Sequence, residues 1–139
     1  KFLFHKLPDQ LDTYPHYGIE QAYVTTNPVI RVRKKTLYGA ASAVSDYQYV
    51  LTVKSSGMLA RQEFELPIDE AAYRTLCAKA DGNVIAKTRY KIPLNQGLTL
   101  ELDLFEGLFD GLVMGEVEFP EFILISMINM LPLSAICSN

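Results

Sequence analysis

Apolar and polar residues alternate along most of the chain with a period of two, the spacing of a β-strand that has one buried face. The alternating segments recur about every ten residues and are separated by turn-forming residues. They are Lys1–Phe4, Ile19–Thr25, Val29–Lys35, Tyr47–Ser55, Met58–Leu66, Asn83–Pro93, Gly97–Phe105 and Gly111–Phe119. The pattern therefore predicts a mainly β fold with eight strands.

Turn chemistry at four of the joints favours antiparallel pairing of consecutive strands. The four joints are Thr25-Thr26-Asn27-Pro28, Ser55-Ser56-Gly57, Asn95-Gln96-Gly97 and Phe109-Asp110-Gly111. One segment departs from the alternation: Asp69–Leu76 has an acidic first turn and strong helix formers, and it predicts a short helix that ends by Gly82. The small and polar residues Gly39–Asp46 predict a flexible loop.

Charged residues occupy every second position of most of the predicted strands, and residues two apart on a strand share one face. The set is Arg31 and Arg33, Lys54, Arg61 with Glu63 and Glu65, Lys87 with Arg89, Glu101 with Asp103, and Glu116 with Glu118. On an open sheet such a face is solvated, and its ion pairs are weak. In a closed barrel of about eight strands, the same face lines a lumen that holds one small ligand.

A lumen with these side chains suits a polyphosphate. Arginine binds phosphate oxygens in pairs, and lysine adds a movable point charge. Carboxylates bind Mg²⁺ or Mn²⁺, and these ions bridge to phosphate oxygens. The converging cations would be Arg31, Arg33, Lys54, Lys87 and Arg89.

Chain length, net charge and cysteine content exclude some classes of function but do not identify a single one. The length of 139 residues suits a single domain, and a net charge of −3 does not favour nucleic-acid binding. Cys77 and Cys137 occur without a secretion-signal pattern, so we expect free thiols and a cytoplasmic protein.

Short motifs follow one another in a fixed order from about Lys1 to Pro120. They are Gln21-Ala22-Tyr23-Val24, Arg31-x-Arg33, Leu51-Thr52-Val53-Lys54, Arg61-x-Glu63-x-Glu65, Lys87-x-Arg89, Glu101-x-Asp103-x-Phe105-x-Gly107, Gly111-Leu112 and Glu116-Val117-Glu118-Phe119. Each motif alone is weak, but their order resembles the CYTH superfamily, also called triphosphate tunnel metalloenzymes, and most of all its short bacterial members. The resemblance implies a closed eight-stranded antiparallel barrel over residues 1–120, with one or more short helices outside it or at its ends.

The resemblance also implies roles for the charged residues. Phosphates would be bound by Arg31, Arg33, Lys54, Lys87 and Arg89, with Lys1, Lys54 and Arg89 acting in catalysis. Metal would be held by Glu116 and Glu118, helped by Glu63 or Glu65. Other residues facing the tunnel would be Arg61, Glu101 and Asp103.

Two features depart from the family pattern. Family members open with a Glu-x-Glu-x-Lys strand, of which Lys1 matches the last lysine. We expect the glutamate pair to precede Lys1 in the natural protein, the alternative being a relative impaired in metal binding. Residues 121–139 form an apolar tail, which is not a separate domain. Its apolar run, residues 121–131, ends at Pro132 and is shorter than the roughly 20 residues that span a bilayer. A segment that packs on the core or closes the tunnel, a membrane contact and a sequence artefact stay open as interpretations.

The function implied is Mg²⁺- or Mn²⁺-dependent hydrolysis of inorganic triphosphate or a related triphosphate compound. Three alternatives stay open: an adenylate cyclase of the same family, a thiamine triphosphatase, and a non-catalytic barrel that binds polyphosphate or nucleotides. The partner would be a small molecule with a triphosphate group, with no nucleic acid or membrane. A monomer and a homodimer fit equally well.

Overall fold

The alternating segments form eight strands in the computed structural model of the chain, which describes residues 1–56 and 62–117. The strands are β1 (Phe2–Leu3), β2 (His16–Thr26), β3 (Val29–Tyr38), β4 (Val44–Lys54), β5 (Glu63–Ile68), β6 (Ile85–Pro93), β7 (Thr99–Phe105) and β8 (Val113–Val117). The α-helix, α1, is Glu70–Ala78. Single 3-10 turns occupy Leu11–Thr13, Ala40–Ser42, Asn95–Gly97 and Gly107–Phe109. The number and order of the predicted strands are confirmed.

All eight strands belong to one antiparallel sheet in the order β1-β8-β7-β6-β2-β3-β4-β5. The predicted turns join four of its pairs, namely β2 with β3, β4 with β5, β6 with β7, and β7 with β8. β2 also pairs with β6, and β1 pairs with β8, which brings together strands that are far apart in the sequence. β1 and β5 are the two edges, and within the described residues no pairing joins them.

The prediction of a flexible loop over Gly39–Asp46 was wrong for its second half. Val44 and Asp46 belong to β4, where they lie opposite Tyr38 and Leu37 of β3. Backbone pairing thus extends the β3–β4 hairpin into small and polar residues. Val44 favours a strand, whereas Ser45 and Asp46 do not, and pairing with β3 places all three in β4.

The fifth predicted strand, Met58–Leu66, is displaced in the structure. β5 runs from Glu63 through Pro67 to Ile68, while residues 57–61 lie outside the described part of the chain. Pro67 lies opposite Val50 on an edge strand of the sheet, which is a position where proline is tolerated.

The helix begins where its sequence predicts. The side chain of Asp69 caps α1 by accepting a hydrogen bond from the backbone N–H of Ala72 at 2.7 Å. The helix ends at Ala78, earlier than the predicted limit at Gly82. No helix in residues 1–56 and 62–117 is long and apolar enough to cross a membrane. Residues 121–139, the predicted tail, lie outside the described part.

The apolar core lies on the outer face of the sheet in two clusters. In the first, Tyr73 of α1 packs against Ala22 of β2 and Val32 of β3. The second surrounds Leu102 of β7 and includes Tyr14, from the segment that precedes β2. Because successive side chains of a strand point to opposite faces, this outward core leaves the charged positions on the inner face.

Candidate active site

The inner face of the sheet borders a cavity of about 510 Å³ whose lining is mostly charged. Its basic side chains are Lys1, Arg31, Arg33, Lys35, Lys54, Lys87 and Arg89, and its acidic ones are Glu63, Glu65, Glu101, Asp103 and Glu116. The structure thus brings together the predicted site residues that it describes. Arg61 and Glu118 lie outside the described residues. The charged face looks into a shared cavity, as the phosphate-binding hypothesis requires, while the role of each residue stays a prediction.

Three basic residues at alternate positions of β3 form one row along the cavity, here called the β3 row: Arg31, Arg33 and Lys35. Arg31 is 8% exposed and donates from Nη2 to Thr52 Oγ1 at 3.4 Å. Its buried Nε has no hydrogen-bond partner among the described residues. Arg33 donates from Nε and Nη2 to the amide oxygen of Gln21. In the described ranges, no salt bridge joins this row to a carboxylate.

The positive charges of the β3 row are therefore only partly compensated, because the carboxylates of Glu65 and Glu101 act on Arg33 and Lys35 without a direct contact. Burial lowers the pKa of Arg33, and the positive charges of Arg31 and Arg89 lower it further. Burial also lowers the pKa of Lys35, with additional repulsion from Lys91 and Arg33. Lys35 Nζ lies 4.3 Å from the centre of the Tyr17 ring, a cation–π contact that leaves its charge in place. An anion in the cavity would relieve this repulsion.

A second row of basic residues occupies alternate positions of β6 and is here called the β6 row: Lys87, Arg89 and Lys91. Carboxylates of β7 pair with all three. Lys87 Nζ lies 2.5 Å from Asp103 Oδ2, and Arg89 donates to both oxygens of Asp103 at 2.7 and 2.8 Å. Arg89 also contacts Glu101 at 2.6 Å, and Lys91 lies 3.6 Å from the same carboxylate.

Lys87, Arg89 and their carboxylate partners are largely buried, whereas Lys91 is exposed. Burial alone would raise the pKa of Asp103, but hydrogen bonds from Arg89 and Lys87 outweigh burial and lower this pKa. Burial likewise opposes the charge of Arg89, yet the contact with Asp103 prevails and raises the pKa of Arg89. For Lys87 burial prevails, and its pKa is lowered. The β6 row is thus largely compensated by protein carboxylates.

Comparisons with known proteins agree with this geometry. The chain is 35% identical over 123 residues to an inorganic triphosphatase of Nitrosomonas europaea, a match that covers 86% of this chain and 73% of that protein. The chain belongs to the CYTH superfamily of triphosphate tunnel enzymes. A second CYTH relative, an inorganic triphosphatase of Acetivibrio thermocellus, is 42% identical over 88 residues, which are 62% of this chain and 46% of that protein. No family model matches the chain.

Solved structures of a CYTH relative share the fold. A crystal structure of the inorganic triphosphatase NE1496 superposes with a TM-score of 0.58 and 29% identity, covering 90% of this chain and 75% of that one. Another crystal structure, of the hypothetical protein NE1496, gives a TM-score of 0.59 with coverage of 91% and 78%. The eight-stranded antiparallel sheet with one helix is therefore the CYTH architecture.

The carboxylates that the resemblance assigns to metal lie on two strands. Glu63 and Glu65 are on β5, with Glu63 3.6 Å from Lys54, and Glu116 is on β8, opposite Glu101. Within the described residues, no three His, Cys, Asp or Glu side chains are grouped closely enough to hold a metal ion. Mg²⁺ is nevertheless commonly held by one or two carboxylates, with water and substrate phosphates as its other ligands. Glu116, Glu63 and Glu65 line the same cavity, and each offers an oxygen donor of this kind.

Sequence reasoning missed several cavity residues of this CYTH protein. Lys35 continues the alternation of Arg31 and Arg33, and that spacing would have identified it. Tyr17 and Gln21, on the inner face of β2, carry no charge, so a search for charged positions passed over them. Of these, Gln21 and Tyr17 contact the β3 row directly.

Proposed function

We propose that this protein is a hydrolase that splits inorganic triphosphate into phosphate and pyrophosphate inside the charged cavity. The observation that carries the proposal is the β3 row, in which Arg31 is buried, Arg33 and Lys35 are half-buried, and none of the three forms a salt bridge with a carboxylate in the described part of the chain. The names of the two curated relatives support the same activity. A small ligand with several negative charges in a row is the complement of such a row of cations.

The size and shape of the cavity support a small ligand. Its volume of about 510 Å³ falls in the usual range for small-molecule sites. We further propose that the sheet closes into a tunnel by bringing its β1 and β5 edges together, because residues beside both edges line the same cavity. Lys1 lies beside β1, and Glu63 lies on β5.

Hydrolysis of triphosphate depends mainly on how the protein positions the phosphates and neutralises their negative charge. A water oxygen forms a bond to the terminal phosphorus, and the bond from that phosphorus to the bridging oxygen breaks. Pyrophosphate leaves with the electron pair of that bond, and a proton of the water is released to solvent. The protein forms no covalent bond to the substrate in this reaction. Most of the rate acceleration therefore comes from positioning the phosphates and from stabilising the charge that develops in the transition state. Arg31 and Arg33 would grip phosphate oxygens in pairs, and Lys54, Lys87 and Arg89 would complete the set. Lys1 would bind the leaving phosphate or favour a deprotonated nucleophile.

A divalent metal fits this proposal. Mg²⁺ or Mn²⁺ would be held by Glu116 and Glu118, with help from Glu63 or Glu65 and with the phosphates as remaining ligands. When bound, the metal would neutralise phosphate charge and lower the pKa of a coordinated water. The cytoplasmic location and the monomeric or dimeric state remain predictions.

The direct test measures products from a panel of substrates. Triphosphate, ATP and thiamine triphosphate are incubated with the full chain and Mg²⁺ or Mn²⁺, and phosphate, pyrophosphate and cyclic nucleotide are quantified. We expect phosphate release to be fastest from inorganic triphosphate. Cyclic nucleotide as the main product would instead indicate a cyclase. Binding without any product would indicate a non-catalytic barrel.

A pair of variants of β3 ties the activity to the cavity. Arg33→Met removes an inward-facing cation, and we expect kcat/KM for triphosphate to fall by about 10²–10³. Lys34→Met is the matched control, because Lys34 is the next residue of the same strand and pairs with Glu20 at 3.0 Å, outside the cavity. Equal activity of Arg33→Met and the wild type would contradict the proposal.

A further inference from the structure

Gln21 is a buried amide that directly contacts the β3 row. It lies opposite Arg33 in the β2–β3 register, and it is 5% exposed. Its amide oxygen accepts two hydrogen bonds from the same guanidinium, from Nε at 3.2 Å and from Nη2 at 3.1 Å. Because both nitrogens belong to one rigid plane, the two bonds fix the orientation of the guanidinium as well as its position.

These bonds use only one edge of the Arg33 fork. A guanidinium has five N–H groups, of which Gln21 engages one on Nε and one on Nη2. Nη1 and the second N–H of Nη2 form another edge, which has the geometry to bind two phosphate oxygens at once. With the first edge bound to Gln21, the second edge of the Arg33 guanidinium is available to a ligand in the cavity, which Arg33 lines.

The anchor is neutral, and this distinguishes Arg33 from Arg89. Arg89 is held by Asp103 and Glu101, whose negative charges compensate its own. An amide oxygen offers the same kind of hydrogen bond without a net charge. Arg33 is therefore fixed in place but retains its full attraction for an anion.

We propose that Gln21 is a positioning residue for triphosphate, which holds the Arg33 guanidinium in orientation while leaving its charge and its phosphate-binding edge to the substrate. The inference rests on the proposed function, in which Arg33 contacts a phosphate group. A glutamate at position 21 would convert Arg33 into a compensated cation of the kind found in the β6 row.

The test uses Gln21→Glu, Gln21→Met, Arg33→Met and the double variant in the full chain. Affinity for tripolyphosphate is measured by calorimetry, and kcat and KM by phosphate release. We expect Gln21→Glu to weaken binding about tenfold or more and to raise the melting temperature without ligand. We expect Gln21→Met to lower kcat/KM about tenfold in the wild-type background and to have almost no effect beside Arg33→Met.

Gln62→Glu is the matched control for the added charge, because Gln62 is exposed and is not part of the cavity lining. We expect it to bind tripolyphosphate like the wild type. Wild-type affinity in Gln21→Glu, or an undiminished effect of Gln21→Met beside Arg33→Met, would overturn the inference and leave the proposed hydrolysis intact. A wild type that binds tripolyphosphate without releasing phosphate would overturn the hydrolysis, and the affinities would still decide the role of Gln21.

Discussion

The β3 row and the β6 row each place three basic residues on the inner face of one sheet, but they meet different surroundings. In the β6 row, Lys87 and Arg89 share the carboxylate of Asp103, and Arg89 also pairs with Glu101, so carboxylates of the protein offset their charges. In the β3 row, Arg31 and Arg33 have a hydroxyl and an amide as partners. We infer from this difference that the β6 row contributes more to the stability of the sheet, while the β3 row offers more of its positive charge to a ligand. In the proposed function Lys87 and Arg89 still contact phosphate.

The largest expected effect comes from breaking the β6 row. Asp103→Asn removes the charge between Lys87 and Arg89, which leaves the buried Lys87 without a carboxylate partner in the described residues and Arg89 with Glu101 alone. We expect a loss of about 3–5 kcal/mol in the free energy of unfolding, measured by urea denaturation. Asp46→Asn is the control, because the exposed Asp46 accepts a hydrogen bond only from the N–H of Tyr47 among the described residues. A loss below about 1 kcal/mol for Asp103→Asn would contradict the structural role of the β6 row.

In the β3 row, we expect a substitution to lower the affinity for ligand without lowering the stability of the ligand-free protein. Arg31→Met removes a buried cation whose Nε lacks a partner in the described residues, so we expect an unchanged or higher melting temperature without ligand. Wild-type protein with tripolyphosphate at about 100 times its Kd should gain about 2.7 kcal/mol. At the same tripolyphosphate concentration, a tenfold loss of affinity in Arg31→Met should reduce that gain by about 1.3 kcal/mol. Melting curves with and without tripolyphosphate measure both quantities, and a destabilised ligand-free variant would contradict the assignment.

A smaller effect concerns pH. The pKa of Lys35 is lowered in the folded state, so between that pKa and its ordinary value of 10.5 the unfolded chain binds more protons than the folded one. Stability contributed by Lys35 therefore rises as the pH rises through that window. We expect Lys35→Met to remove this rise in urea denaturation series at alkaline pH. Tripolyphosphate should also remove it, because a bound anion favours the charged lysine. An identical pH dependence in the variant and the wild type would contradict the prediction.

The smallest effect is expected on the outer face of β3. Lys34 pairs with Glu20 at 3.0 Å, and this hydrogen bond raises the pKa of Lys34. Because both side chains are partly exposed, Lys34→Met should change the free energy of unfolding by about 1 kcal/mol at most. Its kcat/KM for triphosphate should equal that of the wild type. A loss of activity comparable to that of Arg33→Met would show that inward and outward positions of β3 do not differ.

The period-two pattern was sufficient to predict the strands and the face that carries charge. The inward placement of Arg31, Arg33 and Glu116 follows directly from alternation. Alternation cannot assign partners, however, because the contact of Asp103 with Lys87 and Arg89 depends on the register of β6 against β7. The sequence therefore predicted similar cations on β3 and β6. In the structure, carboxylates form salt bridges with the cations of β6 and, within the described residues, with none of the β3 row.

Long-range pairing was the other part that the sequence did not reveal. Turn residues predict hairpins, but no turn joins β2 to β6 or β1 to β8. Likewise, Val44–Asp46 became strand because the neighbouring strand supplied partners, which local composition does not record. These features depend on the sheet as a whole.

Along a strand, residues of the outward core alternate with charged residues that face the cavity. Val32 of the core, for example, lies between Arg31 and Arg33 of the cavity lining. Inserting a single residue early in β3 would turn each later side chain to the opposite face of the sheet. The cations would then lie beneath α1, and Val32 would face the cavity. Inserting two residues would restore the parity of the strand. Natural length variation within these strands should therefore come in even steps, and odd steps should be confined to the connecting turns.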